Sequence, residues 1–231
     1  MIEAILFDKD GTLFDFYRTW GAVTEEAALL AAEGDAARAA EVMLKSGKDP
    51  QTGRYLPGSV IASGSNREIV TLWAEVLGRT DIDVLYDAVQ AHFLKRQPEV
   101  MHPVLDFNSF FARLRDRGYR LGIATMDSEA AAHQAMDKFG VSQALDFICG
   151  FDTGHGLKPG GGMVEAFARR IGLAPSAIAV VGDSPHDMHM ARAGKAGRAI
   201  GVLTGVSPKE ALLEAGAHVV LESIADLEAA L

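Results

Sequence analysis

The sequence predicts an α/β protein: a doubly wound, mostly parallel sheet, interrupted after its first strand by an all-helical insertion. Three observations carry this. Short apolar runs without polar alternation, such as AIAVVGD (residues 177–183), read as strands covered on both faces. From about residue 100 these runs alternate with helical patterns that close on glycine. Residues 16 to 99 show helical patterns and no convincing strand.

In order along the chain, Ile2 to Phe7 reads as a buried strand. The Ala-rich segments EEAALLAAEG and DAARAAEVMLK favour helix on propensity. SGKDPQTGRYLPGSVIASGS (46–65) reads as a glycine- and serine-rich loop. SNREIVTLWAEVLG opens with a capping box, Ser65 with Glu68, and ends at Gly78. DVLYDAVQAHFLKRQP is expected to stop at Pro98. VLDFNSFFARLRDRG then reads as a helix, YRLGIAT as a strand, SEAAAHQAMDKFG as a helix and DFICGF as a strand. MVEAFARRIG is helical, AIAVVGD a strand, and RAIGVL and AHVVL repeat the strand pattern. Between those two, SPKEALLEAG predicts a helix with Ser207 as N-cap, Pro208 at its first position and Glu210 completing a capping box.

Nearly half of the 231 residues are apolar, enough for a full core. A net charge of −9 argues against nonspecific nucleic-acid binding while leaving room for a small anionic substrate at a local cationic cluster. The single cysteine, Cys149, excludes a disulfide framework or a cysteine zinc site and reads as a core residue. No run approaches a membrane span, and the N-terminus shows no basic leader. A soluble, cytoplasmic protein is the expectation, monomeric or homodimeric.

Chemistry gathers where strands end, the place at which open α/β sheets bind ligands. Asp8 and Asp10 follow the first strand, two residues apart; in an extended chain they would share one face at about 7 Å. Like charges so placed raise each other's pKa unless a cation or a shared proton intervenes. Thr125 ends YRLGIA, Lys158 lies in the loop after DFICGF, Asp183 ends IAVVG, and Asp187 follows one helical turn later.

These elements resemble the haloacid dehalogenase-like superfamily, in the branch with a helical cap that includes phosphoglycolate phosphatases. DKDGTLFD matches the first motif, Thr125 the second, Lys158-Pro159 the third and GDSPHD the fourth. The resemblance implies a Rossmann-like catalytic core of residues 1–15 and 100–231 and a cap of residues 16–99 that reads the substrate. It also implies a Mg²⁺-dependent phosphatase of a small phosphorylated metabolite. Asp8 would be the nucleophile that becomes an aspartyl-phosphate, and Asp10 the proton donor and acceptor. Lys158 and Thr125 would hold the phosphoryl oxygens. The metal ligands would be Asp8, Asp183, the backbone carbonyl of Asp10, and Asp187 directly or through water. Two places depart from the pattern. Gly161 and Gly162 stand where a proline and an acid usually follow Lys-Pro, which predicts a looser loop, and Phe16 stands where a serine usually follows Asp15.

Asp10 argues against a dehalogenase, which lacks the second aspartate. A phosphonatase would need a cap lysine, for which Lys45 and Lys48 are the nearby candidates. A sugar phosphomutase of the β-phosphoglucomutase type would keep every core residue, and a non-catalytic module of the same fold is the remaining alternative. Lys45, Lys48, Arg54 and Arg67 bracket the 46–65 loop and are candidates for an anionic leaving group. His155, His186 and His189 read as surface or packing residues, because Mg²⁺ prefers oxygen. Lys9 should point away from the face shared by Asp8 and Asp10 and be structural. GHGLKPGGG reads as flexible, and Trp20 and Trp73 as cap core.

Overall fold

The computed structural model describes the whole chain, Met1–Leu231. It divides into two compact units, Met1–Phe16 with His102–Leu231, and Tyr17–Met101.

The chain starts with β1 (Ala4–Phe7) and then runs through α1 (Phe16–Ala31), α2 (Ala36–Lys45), the single turn α3 (Val60–Ser63), α4 (Asn66–Leu77) and α5 (Ile82–Val100). Two helices of the second unit, α2 and α4, are capped by side chains at their starts. Asp35 accepts from the amides of Ala37 and Arg38 at the start of α2. Ser65 and Glu68 form a reciprocal capping box on α4, which ends at Gly78 in the left-handed conformation, φ 65°. The core of this unit holds both tryptophans. Trp73 is fully buried and donates its indole N–H to Ser46 Oγ at 2.8 Å, and Trp20 meets Phe93 edge to face at 5.1 Å. Contrary to expectation α5 continues through Pro98 to Val100. The proline falls in the last turn, where little helix remains for its missing N–H to disrupt.

In the first unit α6 (Phe107–Asp116), β2 (Arg120–Ala124), α7 (Glu129–Lys138), β3 (Phe147–Cys149), α8 (Gly162–Ile171), β4 (Ile178–Gly182), α9 (Pro185–Ala193), β5 (Arg198–Val202), α10 (Lys209–Glu214) and β6 (Val219–Leu221) follow. All six strands are parallel and lie in the order β3-β2-β1-β4-β5-β6. The strand order therefore reverses between β1 and β4, and such a switch point opens a crevice at the carboxyl edge of the sheet. Register aligns the strand ends there: Phe7 stands opposite Ile123 on one side and Val181 on the other.

Both faces of β1 are buried, which is why its sequence shows no polar alternation. On one face Leu6 and Val180 join Met163, Phe167 and Met188 in a single cluster. Gly122 on β2 makes room for the Phe167 ring, which a Cβ there would meet at 2.8 Å. On the other face Phe7 packs edge to face on Phe110 and Phe111, at 6.0 and 5.9 Å. Cys149 is buried at the end of β3. α10 starts one residue later than its capping-box signature suggests. Pro208 is extended (ψ 160°) and takes the N-cap place itself, so Ser207 stands one residue ahead of the position from which its hydroxyl could cap the helix. No helix is long and apolar enough to cross a membrane.

Candidate active site

The ends of β1 and β4 bring two carboxylates together. Asp8 follows Phe7, its amide donating to Val181 O at 2.8 Å, and Asp183 follows Gly182. Asp187 reaches the same place from the first turn of α9. There it closes a capping box with Ser184, whose amide and hydroxyl donate to Asp187 Oδ2 at 3.1 and 2.6 Å. Oxygens of Asp8, Asp183 and Asp187 lie within 4.8 Å of one another, and all three residues are buried.

One cation faces them. Lys158 donates to Asp8 Oδ1 and to Asp187 Oδ1, both at 2.6 Å, and is almost fully enclosed. Three carboxylates against one ammonium leave an excess of negative charge. Each like-charged pair at such range repels by roughly 3–4 kcal/mol at an effective dielectric of 20. The consequence shows in the acids. Burial, only partly offset by Lys158 and reinforced by Asp187, pushes the Asp8 carboxyl up from 3.8 to about 7. Burial, with Asp8 and Asp187 adding to it, holds Asp183 well above the usual carboxylate range. Lys158 is raised in turn: burial opposes its charge, but Asp187 and Asp8 outweigh that cost. A cluster of hard oxygen donors short of positive charge is suited to a divalent cation.

Glycines make this packing possible. A Cβ on Gly11, which also needs φ +88°, would stand 2.5 Å from the Asp183 carboxylate, and one on Gly182 would overlap Asp187. Gly205, in the loop after β5, gives the same clearance to Asp183, whose Oδ2 also accepts from Val206 N at 3.2 Å. Next to it the Thr204 hydroxyl donates to Gly11 O at 2.6 Å. Sequence reading missed Thr204 and Gly205. The only signal was their position after the strand beside β4.

Thr125, buried at the end of β2, accepts from the Asp127 amide at 3.0 Å. Asp10 lies outside the three-carboxylate cluster, and its side chain pairs with Lys9, Nζ to Oδ2 at 2.6 Å. This corrects the orientation expected for Lys9. The alternation rule holds only while the strand lasts, and β1 ends at Phe7. Beyond it the chain folds back, with Lys9 O accepting from Leu13 N at 2.9 Å and Phe14 N at 3.1 Å. Lys9 is completely buried and also pairs with Asp127 at 3.0 Å. Burial opposes its charge, but the two carboxylates more than compensate and hold its pKa above the ordinary lysine value.

The glycines after Lys158 are not a flexible tether. A Cβ on Gly161 would collide with the backbone of Gly194, and one on Gly162 with the carbonyl of His155. Close backbone approach, rather than mobility, explains that run. His155 lies against the Phe147 ring, and His186 and His189 are half-buried on α9. The four cap candidates have separate surroundings within the helical unit. Lys48 pairs with Glu25, Arg54 lies over the Tyr17 ring, Arg67 pairs with Asp83 and covers Tyr86, and Lys45 is exposed in the last turn of α2.

The comparisons with known proteins follow the same lines. Residues 2–195 match the family model described as haloacid dehalogenase-like hydrolase. The chain is 27% identical to a phosphoglycolate phosphatase of Rhodospirillum rubrum, over 98% of this chain and 90% of that protein. It is 32% identical to the probable phosphatase IndB of Dickeya dadantii over half of each chain, so the match spans only half of that protein's length. A crystal structure of a predicted phosphoglycolate phosphatase from Haemophilus somnus superposes with a TM-score of 0.76, covering 99% of this chain and 97% of that one, at 18% identity. By the reach of the family match and the fold it shares, the chain belongs to the haloacid dehalogenase-like hydrolases.

Proposed function

We propose that the protein is a Mg²⁺-dependent phosphatase acting on a small phosphorylated metabolite through a phosphorylated Asp8. The observation that carries the reading is the Asp8 carboxylate at the β1/β4 switch point, clamped by Lys158 and set beside Asp183 and Asp187. Asp8, Asp183 and Asp187, with the Asp10 carbonyl, would hold the ion, and when bound it supplies positive charge to the phosphoryl oxygens.

The chain's own groups account for the remaining chemistry. An Asp8 oxygen attacks phosphorus as the bond from phosphorus to the ester oxygen breaks, and Asp10 gives that departing oxygen its proton. Lys158 and the Thr125 hydroxyl hold phosphoryl oxygens during the transfer. Asp10, now a carboxylate, takes a proton from water as the water attacks phosphorus. The bond to Asp8 then breaks, releasing phosphate and restoring the free carboxylate. The 27% identity to a phosphoglycolate phosphatase supports 2-phosphoglycolate as the first substrate to try. We assign recognition of the leaving group to the helical unit, with Lys45, Lys48, Arg54 and Arg67 as its candidate cations.

The test is phosphate release from a panel of phosphoglycolate, sugar phosphates, nucleotides, pyrophosphate and β-glucose 1-phosphate, with Mg²⁺ and with chelator. Release that needs the metal and disappears in Asp8→Asn is the expected result. Metal-replete protein that releases phosphate from none of them overturns the reading. Isomerised glucose phosphate would then reassign the same site to a mutase.

A further inference from the structure

Lys9 is not needed for any bond-making step above, yet it is the one charged side chain of the chain with no exposure at all. Burying an ammonium costs several kcal/mol unless it is well paired, and apolar replacement of buried ion pairs is often neutral or stabilising. Packing alone therefore does not call for a lysine here. What an ion triad does supply is fixed geometry.

The pairing of Lys9 is specific. Its Nζ lies 2.6 Å from Asp10 Oδ2 and 3.0 Å from Asp127 Oδ2, with the Phe14 ring centroid 6.0 Å away. Asp127 is itself immobilised. Its Oδ1 accepts from Ser128 N at 2.8 Å, its amide donates to Thr125 Oγ1 at 3.0 Å, and its carbonyl accepts from Phe151 N at 3.0 Å. Lys9 thus spans the loop after β1 and the loop after β2, and joins the proton-transfer residue Asp10 to the phosphoryl-binding Thr125 through Asp127.

We infer that Lys9 is a positioning residue: with Asp127 as its anchor, it holds the Asp10 carboxyl group in the orientation from which the leaving oxygen is protonated. The inference rests on the phosphatase reading and deepens it.

Leaving groups separate this role from general support. An alkoxide cannot depart without a proton, whereas nitrophenolate can. The specificity constant kcat/KM covers the steps up to that departure. We therefore compare kcat/KM for an alkyl phosphate taken from the panel above and for p-nitrophenyl phosphate. Lys9→Met is expected to lose about 10²-fold on the alkyl ester and to stay within about threefold on the aryl ester. Asp10→Asn should show the same split, and Asp8→Asn should abolish both reactions.

Lys9→Met leaves Asp127 buried without its cation. The double variant Lys9→Met/Asp127→Asn removes both charges, keeps the measurement available if the single variant fails to fold, and should show the same split. Equal losses on both esters in a folded variant, or no loss on either, overturn the positioning role alone. Wild-type protein inactive on p-nitrophenyl phosphate and on every member of the panel, or Asp10→Asn without the split, overturns the underlying reading and the inference with it.

Discussion

Gly205 leaves the space that the Asp183 carboxylate occupies; a Cβ on Gly205 would overlap Asp183 Oδ2. A residue of the β5 loop thereby sets the position of an acid at the end of β4. Gly205→Ala should displace that carboxylate. A misplacement of about 1 Å is enough to lower turnover by about 10²-fold, with a stability cost of about 1–3 kcal/mol. Phosphate release together with urea denaturation checks both figures, and unchanged turnover would show that Asp183 is free to move.

The raised acids make the metal-free fold sensitive to pH. Between 3.8 and about 7 the folded state keeps a proton on Asp8 that the unfolded chain has released, and Asp183 is shifted in the same direction. The folded state then binds more protons, so this contribution to stability falls as pH rises through that window. Mg²⁺ requires the deprotonated acids, so the rise in Tm on adding it should grow from pH 5 to pH 8. Thermal melts with chelator and with Mg²⁺ at each pH are the measurement. A Mg²⁺ effect that is the same at every pH would contradict the prediction.

Lys158 stands between two buried carboxylates at 2.6 Å from each. Lys158→Met should cost about 3–5 kcal/mol in chelator, because Asp8 and Asp187 are left facing each other. Asp187→Asn added to it should recover part of that loss. Urea titration of the wild type, both single variants and the double variant tests this; additive losses would mean that the charges are not coupled.

Burial pushes the Cys149 thiol up to about 12, against the opposing charge of Lys158. At pH 8 the thiolate is scarce and the sulfur enclosed. Labelling by a disulfide reagent should therefore proceed at the rate of unfolding and accelerate in urea. Immediate labelling of the native protein would contradict this environment.

Sequence was most informative where one physical rule dominates. Strands covered on both faces show as apolar runs, and the strand-end positions of Asp8, Thr125 and Asp183 follow from them. The Ser65–Glu68 capping box and Gly78 mark α4 by local hydrogen bonding alone. Rules failed where a distant segment decides. Gly161 and Gly162 look mobile until the backbones of Gly194 and His155 are seen against them. The alternation of β1 ends at Phe7 and does not reach Lys9, whose partner Asp127 lies more than a hundred residues away.

Placing β1 at the centre of the sheet has a consequence during synthesis. Its neighbours β2 and β4 begin at Arg120 and Ile178, so Ala4–Phe7 must wait for more than a hundred residues before its first partner exists. At about 5–20 residues per second, that is roughly 5–20 s with an apolar strand unpaired on a nascent chain. The strand is only four residues long, and Glu3 precedes it while Asp8, Lys9 and Asp10 follow it. Charges flanking so short a run oppose its pairing with other chains. The acids that form the site in the finished fold thus first serve as guards of the strand that carries them.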